Sequence, residues 1–179
     1  MALAEKFDFS KYTTLCDVGG AAATLAMAIA SKHPNMKITS ADLPPATAIA
    51  AKRIEAAGLS DRVSAVNIDF FKHDLPKADV ITMGMILHDW NLEKKMILVQ
   101  KAYDALPDGG AFIVIEALID DARRKNAFGL MMSLNMLVEF GDAFDFSGAD
   151  FDGWCKKVGF ERTEVVHLAG PASAGIAYK

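Results

Sequence analysis

Cysteine is scarce in this sequence, in which only Cys16 and Cys155 occur among 179 residues. Both lie in apolar stretches, so we expect two buried free thiols rather than a disulfide framework or a cysteine metal cluster. The four histidines are scattered along the chain and form no ligand pattern. The sequence therefore predicts no metal site.

A surplus of positive charge is also missing, because 19 Lys and Arg residues are outnumbered by 23 Asp and Glu residues. A general nucleic-acid-binding protein would carry a basic face. No apolar run is long enough to span a bilayer, and the first residues lack the pattern of a signal peptide. We therefore expect a cytoplasmic protein that has neither nucleic acid nor a membrane as a partner.

Internal repeats, low-complexity tracts and interdomain linkers are absent as well. With 52% hydrophobic and 23% charged residues, the chain is typical of one globular domain with a sizeable core. Residues 1–14 form a short lead-in, in which Phe7, Phe9 and Tyr12 are scattered anchors.

Short apolar runs alternate with helix-prone segments, which favours an α/β fold with a parallel sheet covered on both faces. Gly170 and Pro171 form a turn that makes the last two strands a hairpin. We predict strands at 14–18, 37–41, 63–68, 78–87, 111–115, 163–167 and 174–178. We predict helices at 24–32 (beginning near Ala21), 46–57 after Pro44-Pro45, after the cap Asn91, and at 150–158.

The stretch Leu15-Cys16-Asp17-Val18-Gly19-Gly20 predicts a strand, a tight turn and a following helix. Glycines at such a turn let the backbone bend sharply and let a ligand approach it closely. Asp17 can accept hydrogen bonds from a cationic or hydroxyl-bearing ligand. Many doubly wound proteins begin in this way, so the turn alone does not define a function.

Polar residues follow the predicted strands at five points. In a parallel sheet, ligands bind beyond the carboxyl ends of the strands. Each residue alone has an ordinary interpretation as a helix cap or a solvent-facing group, whereas five at one edge favour a site. The five residues are Asp17, Asp42, Asp69, His88 and Glu116.

Residues 127–140 (AFGLMMSLNMLVEF) are apolar on nearly every helical face. A helix of this kind must be buried against something. Two interpretations stay open, namely a core helix and a helix whose Met131, Met132, Asn135 and Met136 line an adaptable acceptor pocket, because methionine fills irregular space.

Seven segments in order carry a resemblance to a known family: FDFSKYTTLCDVGG, ADLPPA, IDFFKHDLPKADV, ILHDWN, ALPDGGAFIVIEALI, WCKKVGFERTEVV and SAGIAYK. The chain resembles the S-adenosylmethionine-dependent small-molecule O-methyltransferases of the plant caffeic acid and bacterial hydroxyneurosporene type. The resemblance implies a Rossmann-like class I methyltransferase domain over residues 15–179. Its seven-stranded, mostly parallel sheet would end in a hairpin that contains the one antiparallel strand.

The resemblance also implies S-adenosylmethionine as the cofactor and assigns residues to its parts. Asp17 and Gly19 would lie by its methionine end, and Asp42 would hold the ribose hydroxyls. The adenine would lie among Leu43, Asp69 and Phe70.

The implied reaction is methyl transfer to a hydroxyl of a small acceptor, which we expect to be aromatic. His88 would be the general base, and Glu116 would orient its ring. Met131, Met132 and Asn135 would line the acceptor side.

Three departures from the family pattern stand out. Ala21 and Ala23 replace family glycines, and each adds a methyl group close to the cofactor. Asp145 falls nearest a second catalytic glutamate of the family, but we expect it to be an exposed loop residue. Only a short lead-in precedes Asp17, so we expect the family's N-terminal dimerisation domain to be absent and the helix at 127–140 to pair with a second copy or with a missing segment.

Two alternatives stay open beside methyl transfer. One is a family relative that performs hydroxylation or decarboxylation. Such relatives tend to lose the base, so His88 and Glu116 favour methyl transfer. The other is a truncated domain that binds the cofactor without catalysis, which Ala21, Ala23 and the missing domain leave possible.

Overall fold

A seven-stranded sheet organises residues 2–179, which are the residues that the computed structural model describes. The strands are β1 (Thr14–Val18), β2 (Lys37–Asp42), β3 (Val63–Asn67), β4 (Val80–Gly84), β5 (Ala111–Glu116), β6 (Arg162–Ala169) and β7 (Ala172–Tyr178). Their order across the sheet is β3-β2-β1-β4-β5-β7-β6. Strands β1 to β5 are parallel, and β7 runs antiparallel to both β5 and β6. The predicted α/β fold with its terminal hairpin is confirmed.

Six α-helices connect and cover these strands: α1 (Leu3–Lys6), α2 (Thr24–Lys32), α3 (Pro44–Ala56), α4 (Leu92–Ala105), α5 (Ala127–Phe140) and α6 (Gly148–Val158). Short 3-10 helices occupy Phe9–Lys11 and Leu87–Asp89. The caps agree with the sequence, because the Asn91 side chain accepts from the backbone N–H of Lys94 and Ser147 forms a capping box with Asp150. None of the helices described between residues 2 and 179 has the length and apolarity needed to cross a bilayer.

Two predicted boundaries are wrong because left-handed residues lie beside them. Strand β4 ends at Gly84, not at residue 87, because Met85 has a φ of 55° and turns the chain out of the sheet. Helix α2 begins at Thr24 rather than near Ala21, because Ala21 and Ala23 are left-handed, with φ values of 46° and 56°. Elsewhere the ends differ by a few residues, and both strands of the hairpin are longer than predicted.

The core forms two apolar layers, one on each face of the sheet, because successive side chains of a strand point to opposite faces. In β5, Phe112 packs into the layer that holds α4 and α6, and Ile113 packs into the layer that holds α1, α2 and α3. Cys16 and Cys155 are buried free thiols, as expected. The lead-in is packed on the second layer through its buried anchors Phe7, Phe9 and Tyr12.

The structure contradicts one of the two interpretations of helix α5. Only Gly129 and Met136 are buried in it, whereas Met131 is 66% exposed and Val138 is 79% exposed. The core-helix interpretation is therefore wrong, because no other element of residues 2–179 covers most of this helix. Its exposed large apolar side chains are Phe128, Met131, Leu134, Leu137, Val138 and Phe140.

Candidate functional site

The turns after β1 and β4 meet at the carboxyl edge of the sheet. The backbone N–H of Gly19 donates to the carbonyl of Ala41 over 2.8 Å, which ties the first turn to the end of β2. A Cβ at Gly19 would collide with the side chain of Ile86, two residues before His88. The structure therefore brings the glycine turn and the segment of His88 to the same edge.

The glycine turn is held by Asp42. Its two carboxylate oxygens accept the backbone N–H groups of Ala21 over 2.8 Å and of Leu43 over 2.6 Å. Gly19 has a φ of 70°, and a Cβ at Gly20 would collide with the hydroxyl of Ser40. The turn thus depends on both glycines, and Asp42 fixes its outer side.

Asp17 is a buried carboxyl beside this turn. Its Oδ1 accepts from the Thr82 hydroxyl over 2.7 Å, but its Oδ2 and the Ser40 hydroxyl have no hydrogen-bond partner. Burial raises the pKa of Asp17 to about 6, against the opposing effect of the Thr82 hydrogen bond and with a smaller contribution from the charge of Asp42. These unpartnered polar atoms fit a polar or cationic ligand at the turn.

The segment after β3 supplies the remaining predicted cofactor residues. Asp69 pairs with Lys72 over 2.9 Å and accepts from the backbone N–H of Phe71, and the Lys72 contact lowers its pKa. Phe70 packs edge-on against Trp90, with ring centroids 6.3 Å apart. Leu43 is exposed. Phe70 thereby joins the end of β3 to the segment of His88, while Asp69 is engaged in local contacts.

His88 lies nearly buried among carboxylates. Its Nδ1 is 3.5 Å from Asp145 Oδ1 and 4.0 Å from Glu116 Oε2, and its Nε2 is 3.2 Å from Asp89 Oδ1. The other Glu116 oxygen accepts the backbone N–H of Leu87 over 3.0 Å. Glu116 therefore holds the short helix that carries His88 and also faces its ring.

The carboxylate charges around His88 oppose the effect of burial on its pKa. Burial alone would lower the pKa of His88, but the contact with Asp145 and the charges of Glu116 and Asp89 outweigh it and raise the pKa. Burial raises the pKa of Glu116 to about 7, and the positive charge of His88 limits that rise. The imidazole is therefore a stronger base than an ordinary histidine.

Asp145 corrects an expectation, because it is only 1% exposed and not a surface loop residue. Phe144 and Phe146 flank it and pack on Trp154, with ring centroids 6.4 Å and 4.9 Å away. The Asp145 backbone N–H donates to the Ser133 hydroxyl of α5 over 3.1 Å. No sequence signal identified this burial, because it depends on how the half-buried Phe144 and the buried Phe146 pack.

The predicted acceptor residues on α5 are not enclosed. Met131 and Asn135 are exposed and Met132 is half-buried, so residues 2–179 do not form a closed pocket around them. Helix α5 does contact the 3-10 helix that carries His88. A cavity of about 560 Å³ lies instead between the start of α5 and the β6–β7 hairpin, and its lining includes none of the predicted site residues.

One group of side chains in the described part of the chain has ligand atoms close enough for a metal ion. It consists of His88, Glu116 and Asp145, whose ligand atoms lie within 4.8 Å of one another. A base oriented by two carboxylates has the same geometry. The absence of a metal site stays a prediction from the sequence.

Comparison with known proteins decides the family. The sequence profile of the O-methyltransferase domain matches residues 1–161. The chain belongs to the O-methyltransferase family. It is 34% identical over 175 residues to 3-hydroxy-5-methyl-1-naphthoate 3-O-methyltransferase of Streptomyces sahachiroi, across 97% of this chain and 50% of that protein. It is 35% identical over 173 residues to acetylserotonin O-methyltransferase of Bos taurus, again across 97% of this chain and 50% of the relative.

Solved structures of O-methyltransferases have the same fold. The human N-acetylserotonin methyltransferase in complex with S-adenosylmethionine superposes with a TM-score of 0.91 at 30% identity, over 99% of this chain and 50% of that one. A neocarzinostatin-biosynthesis O-methyltransferase, solved with S-adenosylmethionine and 2-hydroxy-5-methyl naphthoic acid, gives 0.87 at 26% identity, over 98% and 51%. The O-methyltransferase chain described here therefore spans about half the length of the relatives it matches.

Proposed function

We propose that this chain is the catalytic part of an enzyme that transfers a methyl group from S-adenosylmethionine to a hydroxyl of a small aromatic acceptor. The observation that carries the proposal is the buried His88, which faces two carboxylates at the edge where the glycine turn lies. The relatives named for naphthoate and acetylserotonin support this acceptor class.

The residues at the glycine turn fit the cofactor. S-adenosylmethionine, when bound, supplies a methyl group on a positively charged sulfonium. The free Oδ2 of buried Asp17 suits the cationic methionine end beside Gly19, and Asp42 suits the ribose diol at the end of the second strand. Leu43, Asp69 and Phe70 would surround the adenine.

His88 would take the proton of the acceptor hydroxyl. A phenol has a pKa of about 10 and a free histidine about 6.5, so full transfer in water is uphill by roughly 5 kcal/mol. The raised pKa of His88 reduces this cost. Glu116 and Asp145 face Nδ1 and would stabilise the imidazolium, and Nε2, which faces Asp89 at 3.2 Å, would accept the proton. Holding the acceptor oxygen in line with the methyl group would provide most of the remaining rate gain.

The test is His88→Ala, assayed with S-adenosylmethionine and 3-hydroxy-5-methyl-1-naphthoate as the probe acceptor. We expect methyl transfer to fall by roughly 10²–10⁴-fold, because the general base is removed, while calorimetry shows unchanged cofactor binding. His167→Ala, at an exposed position of β6, is the matched control and keeps the parent rate.

Three outcomes contradict the proposal in different ways. Equal rates for His88→Ala and the parent remove His88 from the mechanism. Binding of the cofactor without any methyl transfer favours a non-catalytic domain, or a relative that performs hydroxylation or decarboxylation. No binding heat at high protein concentration favours a domain that binds nothing at the glycine turn.

The cytoplasmic location stays a prediction.

We further propose that α5 pairs with a second copy of the chain and so completes the acceptor side. Support comes from its exposed apolar face, since monomeric proteins rarely leave such a continuous patch in water. Met131 and Asn135 lie on this helix and would be covered by the pairing.

Sedimentation of Leu134→Lys and Val138→Lys tests the pairing, because a buried lysine at either position would oppose it. We expect the parent to self-associate at micromolar concentrations and both variants to be monomeric. Ile49→Lys, at an exposed apolar position of α3, is the control and behaves as the parent does. A monomeric parent that exchanges the α5 amides rapidly would contradict the pairing and leave the helix to a segment outside this chain.

A further inference from the structure

Lys95 of α4 is 0% exposed, although lysine is almost never fully buried unless it has partners. Its ammonium donates to the carbonyl of Trp90 and lies 3.5 Å from the centre of the Phe144 ring. The ring of Phe146 is 5.9 Å away. Lys95 thus contacts the two aromatic residues on either side of Asp145.

Lys95 is also the buried cation among the acidic groups of the site. Carboxylates from three elements act on its ammonium, and together with burial they set its pKa. Burial lowers that pKa to about 8, and the carboxylates oppose the fall. The carboxylates are Glu116 from β5, Asp89 from the 3-10 helix, and Asp142 and Asp145 from the loop at 141–147.

We propose that Lys95 is a positioning residue of the site, which holds Asp145 against His88 through the two flanking rings and balances the charge of the buried carboxylates. A cation over an aromatic face is stabilising, most of all where water is excluded. The proposal rests on the proposed function only in taking His88 as the base. It concerns a lysine whose side chain is fully buried beside the site.

The charge of Lys95 interacts with the carboxylates of Glu116, Asp145 and Asp89, which also face His88. While charged, it opposes the uptake of a further proton by His88 and Glu116. Without the charge of Lys95, the group of His88 and its carboxylates retains a proton to higher pH. The pKa of the imidazole therefore rises. Looser packing of the two rings that flank Asp145 would instead lower the pKa of His88. The reason is that Asp145 is the partner that favours the charged imidazole.

The test is an NMR titration of the imidazoles in the chain without cofactor or acceptor. The His88 signal is identified as the one missing from His88→Gln. Lys95→Met removes the charge but keeps a flexible side chain that packs well on an aromatic ring. We expect its His88 midpoint to rise by on the order of half a pH unit or more. Phe144→Leu keeps the charge of Lys95 but loosens the packing around Asp145, so we expect its His88 midpoint to fall.

Two control variants make the result specific. Lys94→Met removes the neighbouring lysine, which is exposed, and leaves the midpoint unchanged. Lys95→Arg keeps the charge and restores the parent midpoint. An unchanged or lower midpoint in folded Lys95→Met overturns the proposal. If circular dichroism shows that Lys95→Met does not fold, a Phe144→Leu midpoint equal to that of the parent overturns it instead.

The titration is independent of methyl transfer. A shifted midpoint in an inactive chain supports the positioning role and contradicts the proposed function. An unshifted midpoint in a chain that transfers the methyl group contradicts the positioning role and supports the proposed function.

Discussion

Single residues in unusual backbone conformations define the glycine turn. Ala21 and Ala23 both have positive φ values, and a left-handed conformation costs an alanine roughly 1–2 kcal/mol. The turn keeps this shape because Asp42 accepts the N–H of Ala21 and because α2 begins directly afterwards. Ala21 and Ala23 therefore hold a backbone conformation that glycine would adopt without this strain.

Ala21→Gly should stabilise the protein by about 0.5–1 kcal/mol, because glycine adopts this φ without strain and Ala21 is exposed, so little packing is lost. Urea unfolding measures the change. Ala22→Gly, next to it and without a positive φ, is the control and should be destabilising. An Ala21→Gly variant less stable than the parent would show that the methyl group contributes packing that outweighs the strain.

Much of the candidate site follows from residue types at strand ends, which is how Asp17, His88 and Glu116 were found. Asp145 was missed because its burial depends on where Phe144 and Phe146 pack, and sequence spacing does not contain that information. The carboxylate nearest to Nδ1 of His88 is accordingly one that the sequence analysis had placed at the surface.

Helices and strands with local signals were predicted well. Proline starts α3 and Asn91 caps α4, so their beginnings depend on nearby residues. The end of β4 was wrong because the left-handed Met85 is maintained by tertiary contacts, including the Glu116 oxygen that accepts from Leu87. The core-helix interpretation of α5, one of the two left open, was wrong because an apolar sequence does not specify the partner that covers it.

The start of α6 gives a direct test of a local signal. Ser147→Ala removes the capping box with Asp150 and should destabilise the protein by about 1 kcal/mol. Thermal unfolding measures the loss. Ser60→Ala, an exposed serine outside the helices, should be neutral. Equal stability of the two variants would mean that Asp150 alone satisfies the first turn of α6.

The stability of the whole molecule depends on the apolar side chains buried in the two layers beside the sheet. The total number of apolar residues in the chain matters less. Phe112 lies at 0% exposure in the layer of α4 and α6, whereas Phe128 is half exposed on α5. Phe112→Ala should cost roughly 3–5 kcal/mol in unfolding free energy, because it leaves a cavity in a packed layer. Phe128→Ala, the same substitution at the surface, should cost less than about 1 kcal/mol in the monomer. Urea unfolding at a concentration too low for self-association measures both losses, and similar losses there would show that α5 is covered within the single chain.

The free oxygen of Asp17 links ligand uptake to the acidity of the medium. With a pKa of about 6, this carboxyl is partly protonated in mildly acidic solution. A cation that arrives beside Oδ2 favours the ionised form, so its uptake expels a proton into the buffer. The heat of association near pH 6 then varies with the ionisation enthalpy of the buffer, and this variation disappears well above neutrality, where Asp17 is already charged.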